Sequence, residues 1–351
     1  MMNLVYDNIV YDLQRVGGIS TYWYELSKRF LHAEGVNIRF VEFSEQHNNV
    51  QRNMLDIPAS QITVDNAGGK FIQRYKRVRM DGATPGTIFH SSYFRVPVKK
   101  PGIKKVCTVH DFTHDLFFKG PRVWLHNLAK NKAVMESDVI LTVSENTRRD
   151  LLNFYPRISS DRVITVYNGV AEDFHVLSEA ERQAAEPFAL YVGSRDTYKN
   201  FDFAVRLMAQ VSGLQLYVVG SHPSPKETKF LDQQIAGRYR FFSNISTAAL
   251  NKLYNTAYCL LYPSSYEGFG IPLTEAMQAG CPFIAQHASS IPEVAGDAGI
   301  LLNGLDVEEG KVAFSRIEKE RRAIISKGFE QCKQFSWDRC FNETYQIYKS
   351  I

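Results

Sequence analysis

Residues 264–280, Ser264-Ser265-Tyr266-Glu267-Gly268-Phe269-Gly270-Ile271-Pro272-Leu273-Thr274-Glu275-Ala276-Met277-Gln278-Ala279-Gly280, decide how this chain is read. The run Tyr258-Cys259-Leu260-Leu261-Tyr262 ahead of them is apolar and aromatic throughout, the pattern of a buried strand. Pro263 and the serines end that strand. Pro272 suits the first turn of a helix, where its missing N–H has no partner to lose, and Gly280 suits the helix exit. The unit is strand, glycine loop, helix. Amides at the helix start and the helix dipole favour an anion there. Glu267 lies in the loop and Glu275 one turn into the helix, so both can reach one ligand lying across the helix start.

Outward from this unit, apolar strand-like runs alternate with helix-like segments. Strands are expected near 2–6, 36–43, 87–90, 104–109, 139–143 and 162–166, then near 188–192, 214–219, 239–242, 258–262, 282–286 and 299–302. Helices fit between them, for example at 19–31, 123–135, 200–211, 226–236, 247–255 and 272–279. Such alternation implies parallel sheets covered on both faces, an α/β class. Two blocks imply two Rossmann-like domains, divided near the polar, strand-poor stretch 171–187, which includes Ala184 and Ala185. The expected limits are 1–175 and 185–335. Ligands bind such sheets at the carboxyl ends of the strands, which places the site in a cleft between the two domains. Residues 308–334 read as a charged helix. Trp337, Phe341, Tyr345 and Tyr348 then form one apolar helical stripe.

The 351 residues are 44% hydrophobic and 22% charged, ordinary for a globular protein. No apolar run is long enough to span a bilayer, and the start lacks the pattern of a secretory signal. The five cysteines are scattered, odd in number and without a C-x-x-C pair, which reads as reduced thiols in a cytoplasmic protein with no zinc site. Net charge is +4, and residues 1–180 account for it with 23 Lys and Arg against 19 Asp and Glu. Residues 70–105 hold Lys70, Arg74, Lys76, Arg77, Arg79, Arg95, Lys99, Lys100, Lys104 and Lys105, with Asp81 the only acid. Such a tract attracts phosphate, whether on a lipid surface, a lipid-linked acceptor or a nucleic acid, or else is a merely solvated face. The expected location is cytoplasmic, peripheral on the inner face of the membrane.

Several sites lie at strand ends. Gly193-Ser194-Arg195-Asp196-Thr197-Tyr198-Lys199-Asn200 follows one apolar strand and brings Arg195 and Lys199 to its end. Arg15-Val16-Gly17-Gly18-Ile19-Ser20 precedes a helix, where Gly17 and Gly18 permit close backbone approach to an anion. His110-Asp111 and His90-Ser91-Ser92 end two further strands, with His114 close behind.

The E-x7-E spacing of Glu267 and Glu275 resembles the motif of retaining GT-B glycosyltransferases of family 4. Val143-Ser144-Glu145-Asn146-Thr147, Tyr167-Asn168-Gly169-Val170, Val192-Gly193-Ser194-Arg195 and Ser289-Ser290-Ile291-Pro292-Glu293-Val294-Ala295-Gly296 extend the resemblance over most of the chain. It implies a GT-B fold, two Rossmann-like domains with parallel sheets facing across a cleft, and a last helix, 336–351, packing back on the first domain. It implies that Arg195 and Lys199 grip the donor diphosphate, although Ser194 stands where many members have the arginine. Glu275 would bind the ribose. Glu267, with the amides of Gly268, Phe269, Gly270 and Ile271, would hold the sugar and its phosphate. Gly17, Gly18 and Gly193 would line the donor, Asn244 the base, and His110 the sugar near the reaction centre. His90 and Asp111 fall on the acceptor side.

The expected activity is retaining transfer of a hexose from a nucleotide sugar to a saccharide or lipid-linked acceptor in polysaccharide or lipopolysaccharide biosynthesis, with GDP-mannose favoured because residues 193–200 and Gly17-Gly18-Ile19-Ser20-Thr21-Tyr22 resemble bacterial mannosyltransferases of surface polysaccharide assembly. The resemblance also implies that the leaving phosphate would help deprotonate the acceptor. No cofactor, metal or nucleic acid is expected. The alternatives are a sugar-nucleotide epimerase or hydrolase on the same fold, and a nucleotide-binding scaffold without transfer activity.

Overall fold

A computed structural model describes residues 1–44, 47–65, 73–182 and 186–351. Lys70 of the basic tract and Ala184 and Ala185 of the polar stretch lie outside the described residues. The chain divides into two compact units, Met1–Asn168 with Trp337–Ile351, and Gly169–Ser336.

The first unit is built on strands β1 (Met2–Asp7), β2 (Val36–Glu42), β3 (Ile62–Val64), β4 (Ile88–Ser91), β5 (Lys104–Val109), β6 (Val139–Thr142) and β7 (Val163–Thr165), all parallel, in the order β3-β2-β1-β4-β5-β6-β7. Its central strands are largely buried, including the polar residues Asp7, His90 and Ser91 at their carboxyl ends. The helix Gly18–Leu31 packs Tyr22, Trp23, Leu26 and Phe30 inward. The last helix, Trp337–Ser350, packs on it: Phe30 stacks on Tyr348 with ring centres 5.2 Å apart and meets Phe341 at 4.7 Å. Trp337 and Tyr348 are buried and Phe341 and Tyr345 partly so, which accounts for the aromatic stripe. Ser144 caps the helix Glu145–Phe154, its side chain accepting from the Thr147 amide.

The second unit carries β8 (Phe188–Val192), β9 (Gln215–Val219), β10 (Tyr239–Phe242), β11 (Cys259–Tyr262), β12 (Phe283–Gln286) and β13 (Ile300–Leu302), again all parallel, in the order β10-β9-β8-β11-β12-β13. The long helix Val307–Cys332 packs against the helices Phe201–Gln210 and Ile271–Gln278. Strand order reverses between β1 and β4 in the first sheet and between β8 and β11 in the second. Such reversal points open a crevice at the strands' carboxyl ends.

The basic tract is less free than its sequence suggests. Arg95 is buried, 1% exposed, between Asp7 at 2.9 Å and Asp65 at 3.1 Å. Arg77 pairs with Glu136 at 2.5 Å, Arg79 with Asp81 at 3.0 Å, and Lys100 donates to the Ala83 carbonyl. The tract is therefore not one continuous cationic face. All five cysteines are buried free thiols. Among the described residues no helix is long and apolar enough to cross a membrane.

Candidate active site

In the second unit the loops after β8 and β11 are tied together at the reversal point. After β8, Gly193 adopts φ 138°, which favours glycine, and the chain turns through Thr197–Lys199 to Asn200. Asn200 is left-handed, φ 50°, and its Nδ2 donates to the Pro263 carbonyl at 2.8 Å and to Ser265 Oγ at 2.6 Å. The Ser265 amide answers to the Tyr198 carbonyl at 2.8 Å. These bonds bring Lys199 to Glu267, with Nζ 2.5 Å from Oε1 and side chains only 16% and 12% exposed. The Tyr262 hydroxyl also bonds Glu267. Burial first, and then the carboxylate, hold that phenol well above its ordinary value, so it stays a donor.

The loop ahead of the helix Ile271–Gln278 is pinned from behind. Ser290 is fully buried, and its hydroxyl lies 2.9 Å from the carbonyls of both Glu267 and Phe269. Ser289 Oγ donates to the Glu267 carbonyl at 2.7 Å and accepts from its amide at 3.2 Å. Gly270 caps the helix at φ 109°, a conformation that strains any other residue. Phe269 buries its ring against Phe335 at 5.4 Å, leaving only its backbone to a ligand. Glu275 accepts from the Tyr254 hydroxyl at 2.8 Å. Burial pushes its carboxyl up to about 7, while the Tyr254 bond works the other way.

Arg195 does not join Lys199 in this structure. Its Nε reaches Glu227 at 2.5 Å, and its terminal nitrogens reach the carbonyls of Ser221 at 2.9 Å and His222 at 3.1 Å. Its guanidinium also lies over Phe241 at 5.2 Å. The paired arginine pulls Glu227 down to about 2. The guanidinium thus anchors the loop after β9 and the capped start of the helix Pro225–Ile235, and in this structure it is paired with Glu227 rather than brought beside Lys199. Asn244 follows β10 at the same edge of the sheet, in a left-handed conformation with φ 54°.

In the first unit, Gly17 precedes the helix Gly18–Leu31, and its carbonyl accepts from the Thr21 amide and Ser20 Oγ, both at 2.9 Å. His110 follows β5, edge-on to Tyr22 at 5.0 Å. Burial pushes it down to about 4, so its imidazole is neutral at pH 7. Asp111 accepts from the Thr113 amide at 2.9 Å. His90 is fully buried, and its ring nitrogens are taken by Tyr348 and Thr108. Both ring nitrogens are thus engaged inside the first unit, the arrangement of a core histidine. His114 stacks on His126 at 4.2 Å.

Asn200, Tyr254, Tyr262 and Glu227 were not singled out by sequence. Asn200 sits beside Lys199 and could have been. The two serines belonged to a recognised motif whose purpose, holding the Glu267 loop, needed the structure. Among the described residues no group of three or more His, Cys, Asp or Glu side chains could hold a metal ion.

Residues 16–174 match the family model "Glycosyltransferase Family 4", and residues 177–334 match "Glycosyl transferases group 1". O-antigen chain mannosyltransferase B of Escherichia coli is 29% identical over 286 residues, covering 75% of this chain and 74% of that protein. Serotype-specific mannosyltransferase WbdA of Escherichia coli is 23% identical over 316 residues, 80% of this chain but 39% of that longer protein. Sucrose-phosphate synthase from Thermosynechococcus elongatus superposes with a TM-score of 0.79 at 18% identity, covering 100% of this chain and 99% of that one.

Proposed function

We propose that this chain, which belongs to glycosyltransferase family 4, transfers a mannosyl residue from GDP-mannose to a saccharide or lipid-linked acceptor, with retention of configuration and without a metal. The observation that carries the reading is the Lys199–Glu267 pair at the point where β8 and β11 diverge. An arriving diphosphate replaces the carboxylate as the partner of Lys199. Glu267 is then released to accept hydrogen bonds from the sugar. As the bond from the anomeric carbon to the phosphate oxygen breaks, negative charge grows on the diphosphate. In this reading Lys199 and the start of the helix Ile271–Gln278 stabilise it. The acceptor oxygen bonds to the same face of the anomeric carbon, and its proton passes to the leaving phosphate.

Glu275, ionised, accepts from the ribose hydroxyls. His110, neutral, is proposed to hydrogen-bond the sugar without adding charge. Mannose as the sugar, and O-antigen or lipopolysaccharide assembly as the setting, are supported by the named activity of the Escherichia coli relative. The test is a panel of nucleotide sugars scored for thermal stabilisation and slow hydrolysis. GDP-mannose should stabilise most and release GDP. Preference for a UDP- or dTDP-sugar would overturn the donor assignment. Stabilisation without any hydrolysis or transfer would overturn the activity.

A further inference from the structure

The helix Pro121–Glu136 is inside out. Its buried face carries His126, Lys130, Ala133 and Val134, with Lys130 held by Asp115 and lying over the Phe112 ring at 4.3 Å. Its outward face carries Trp124, Leu128 and Met135, spaced four and seven residues apart on one side of the helix. These are 61%, 45% and 47% exposed. Leu116, Phe117 and Phe118, just ahead of the helix, are exposed as well, and Phe118 lies 5.6 Å from His114, which stacks on His126. Among the described residues every exposed Phe or Trp except Phe154 falls in this segment. Exposed apolar patches of this kind mark an interaction surface.

Charge identifies the occupant. Residues 116–135 contain Lys119, Arg122, Lys130 and Lys132 and no acid. Lys119 and Arg122 are exposed beside the aromatic residues. Lys132 and Lys76 line one cavity of about 170 Å³ with Leu128, so a cation of the basic tract borders the apolar stripe. A tryptophan, phenylalanines and leucines rimmed by Lys and Arg match the interface of an anionic bilayer. A second copy of the same face would bring like charges together. We infer that Leu116–Phe118 and the outward face of the helix Pro121–Glu136 insert into an anionic membrane surface, with Lys119, Arg122 and Lys132 on the headgroups. This moves membrane contact from the basic tract, whose arginines are largely paired internally, to a neighbouring aromatic face.

The chain carries its own reporter. It has three tryptophans, of which Trp23 is 0% and Trp337 4% exposed, so Trp124 alone faces solvent. The full chain is mixed with vesicles of phosphatidylcholine, with and without phosphatidylglycerol. With the anionic vesicles, tryptophan emission should shift to the blue and the protein should sediment, both effects weakening as salt rises. Phe117→Ser/Phe118→Ser/Leu128→Ser should lower partitioning about tenfold or more. Lys119→Glu/Arg122→Glu should weaken binding separately, and both variants should keep donor hydrolysis. Absence of a shift and of sedimentation at low salt would overturn the inference. So would unchanged binding by the triple serine variant, or self-association of the wild type that this variant abolishes.

Discussion

Replacing Glu275 with Gln should stabilise the chain at alkaline pH while weakening nucleotide binding. Burial moves this carboxyl from an ordinary 4.5 to about 7. The unfolded chain ionises it near 4.5, whereas the fold resists ionisation until about 7. The group's favourable contribution is therefore fully present below 4.5 and is lost as pH rises to 7. At about 1.4 kcal/mol per pH unit, the penalty above pH 7 is about 3 kcal/mol. Glutamine keeps an acceptor for the Tyr254 hydroxyl, 2.8 Å away in the wild type, and has no charge to bury. Any cost of seating its new amide protons does not change with pH. The gain at pH 8 should therefore exceed the gain at pH 5.5 by about 2 kcal/mol. For a unit of this size that is roughly 4–8 °C in the second unit's melting transition. Calorimetry of wild type and variant at the two pH values reads it. Affinity for the nucleotide should fall about tenfold or more at pH 8, as charge-assisted bonds are lost. A stability gain equal at both pH values, or none at either, would refute the reasoning.

Lys199→Ala should lower turnover by about 10²–10³ with little change in melting, because it removes the cation facing the leaving group; near-normal turnover would take Lys199 out of the site. Ser290→Ala removes the hydroxyl between the carbonyls of Glu267 and Phe269 and should cost about 1–3 kcal/mol, with a drop in kcat from the slackened loop. Unchanged calorimetry and kcat would show that the loop holds its shape without that serine. Arg195→Ala should lower stability through loss of the Glu227 pair and the carbonyl contacts, yet reduce turnover less than Lys199→Ala. A larger loss than for Lys199→Ala would put Arg195 on the diphosphate instead.

Strands buried on both faces were the most legible part of the fold. Phe188–Val192 and Cys259–Tyr262 are continuous apolar runs, and little besides a parallel sheet buries such runs whole. Ile62–Val64 escaped notice because it is a three-residue, mostly exposed edge strand, where neither length nor burial marks the sequence. The local geometry that joins Glu267, Gly270 and Glu275 was legible too, since all three belong to one strand–loop–helix unit. Long-range partners were not. His90 and His110 look alike as histidines at strand ends, and His90 is taken inward by Tyr348, 258 positions away. Arg195 is claimed by Glu227, 32 positions on. The pairing of Arg95 with Asp7 and Asp65 likewise dissolves a basic run that looked continuous in one dimension.

The central claim is retaining mannosyl transfer at the Lys199–Glu267 site, and the anomeric configuration of the product tests it most directly. The full chain is incubated with GDP-α-mannose and a mannose-terminated acceptor in the presence of a metal chelator, and the new linkage is read by NMR. The account predicts an α-mannosyl product, formed by the wild type and nearly absent with Lys199→Ala. A β-linked product, or transfer that stops when the chelator is added, would contradict it.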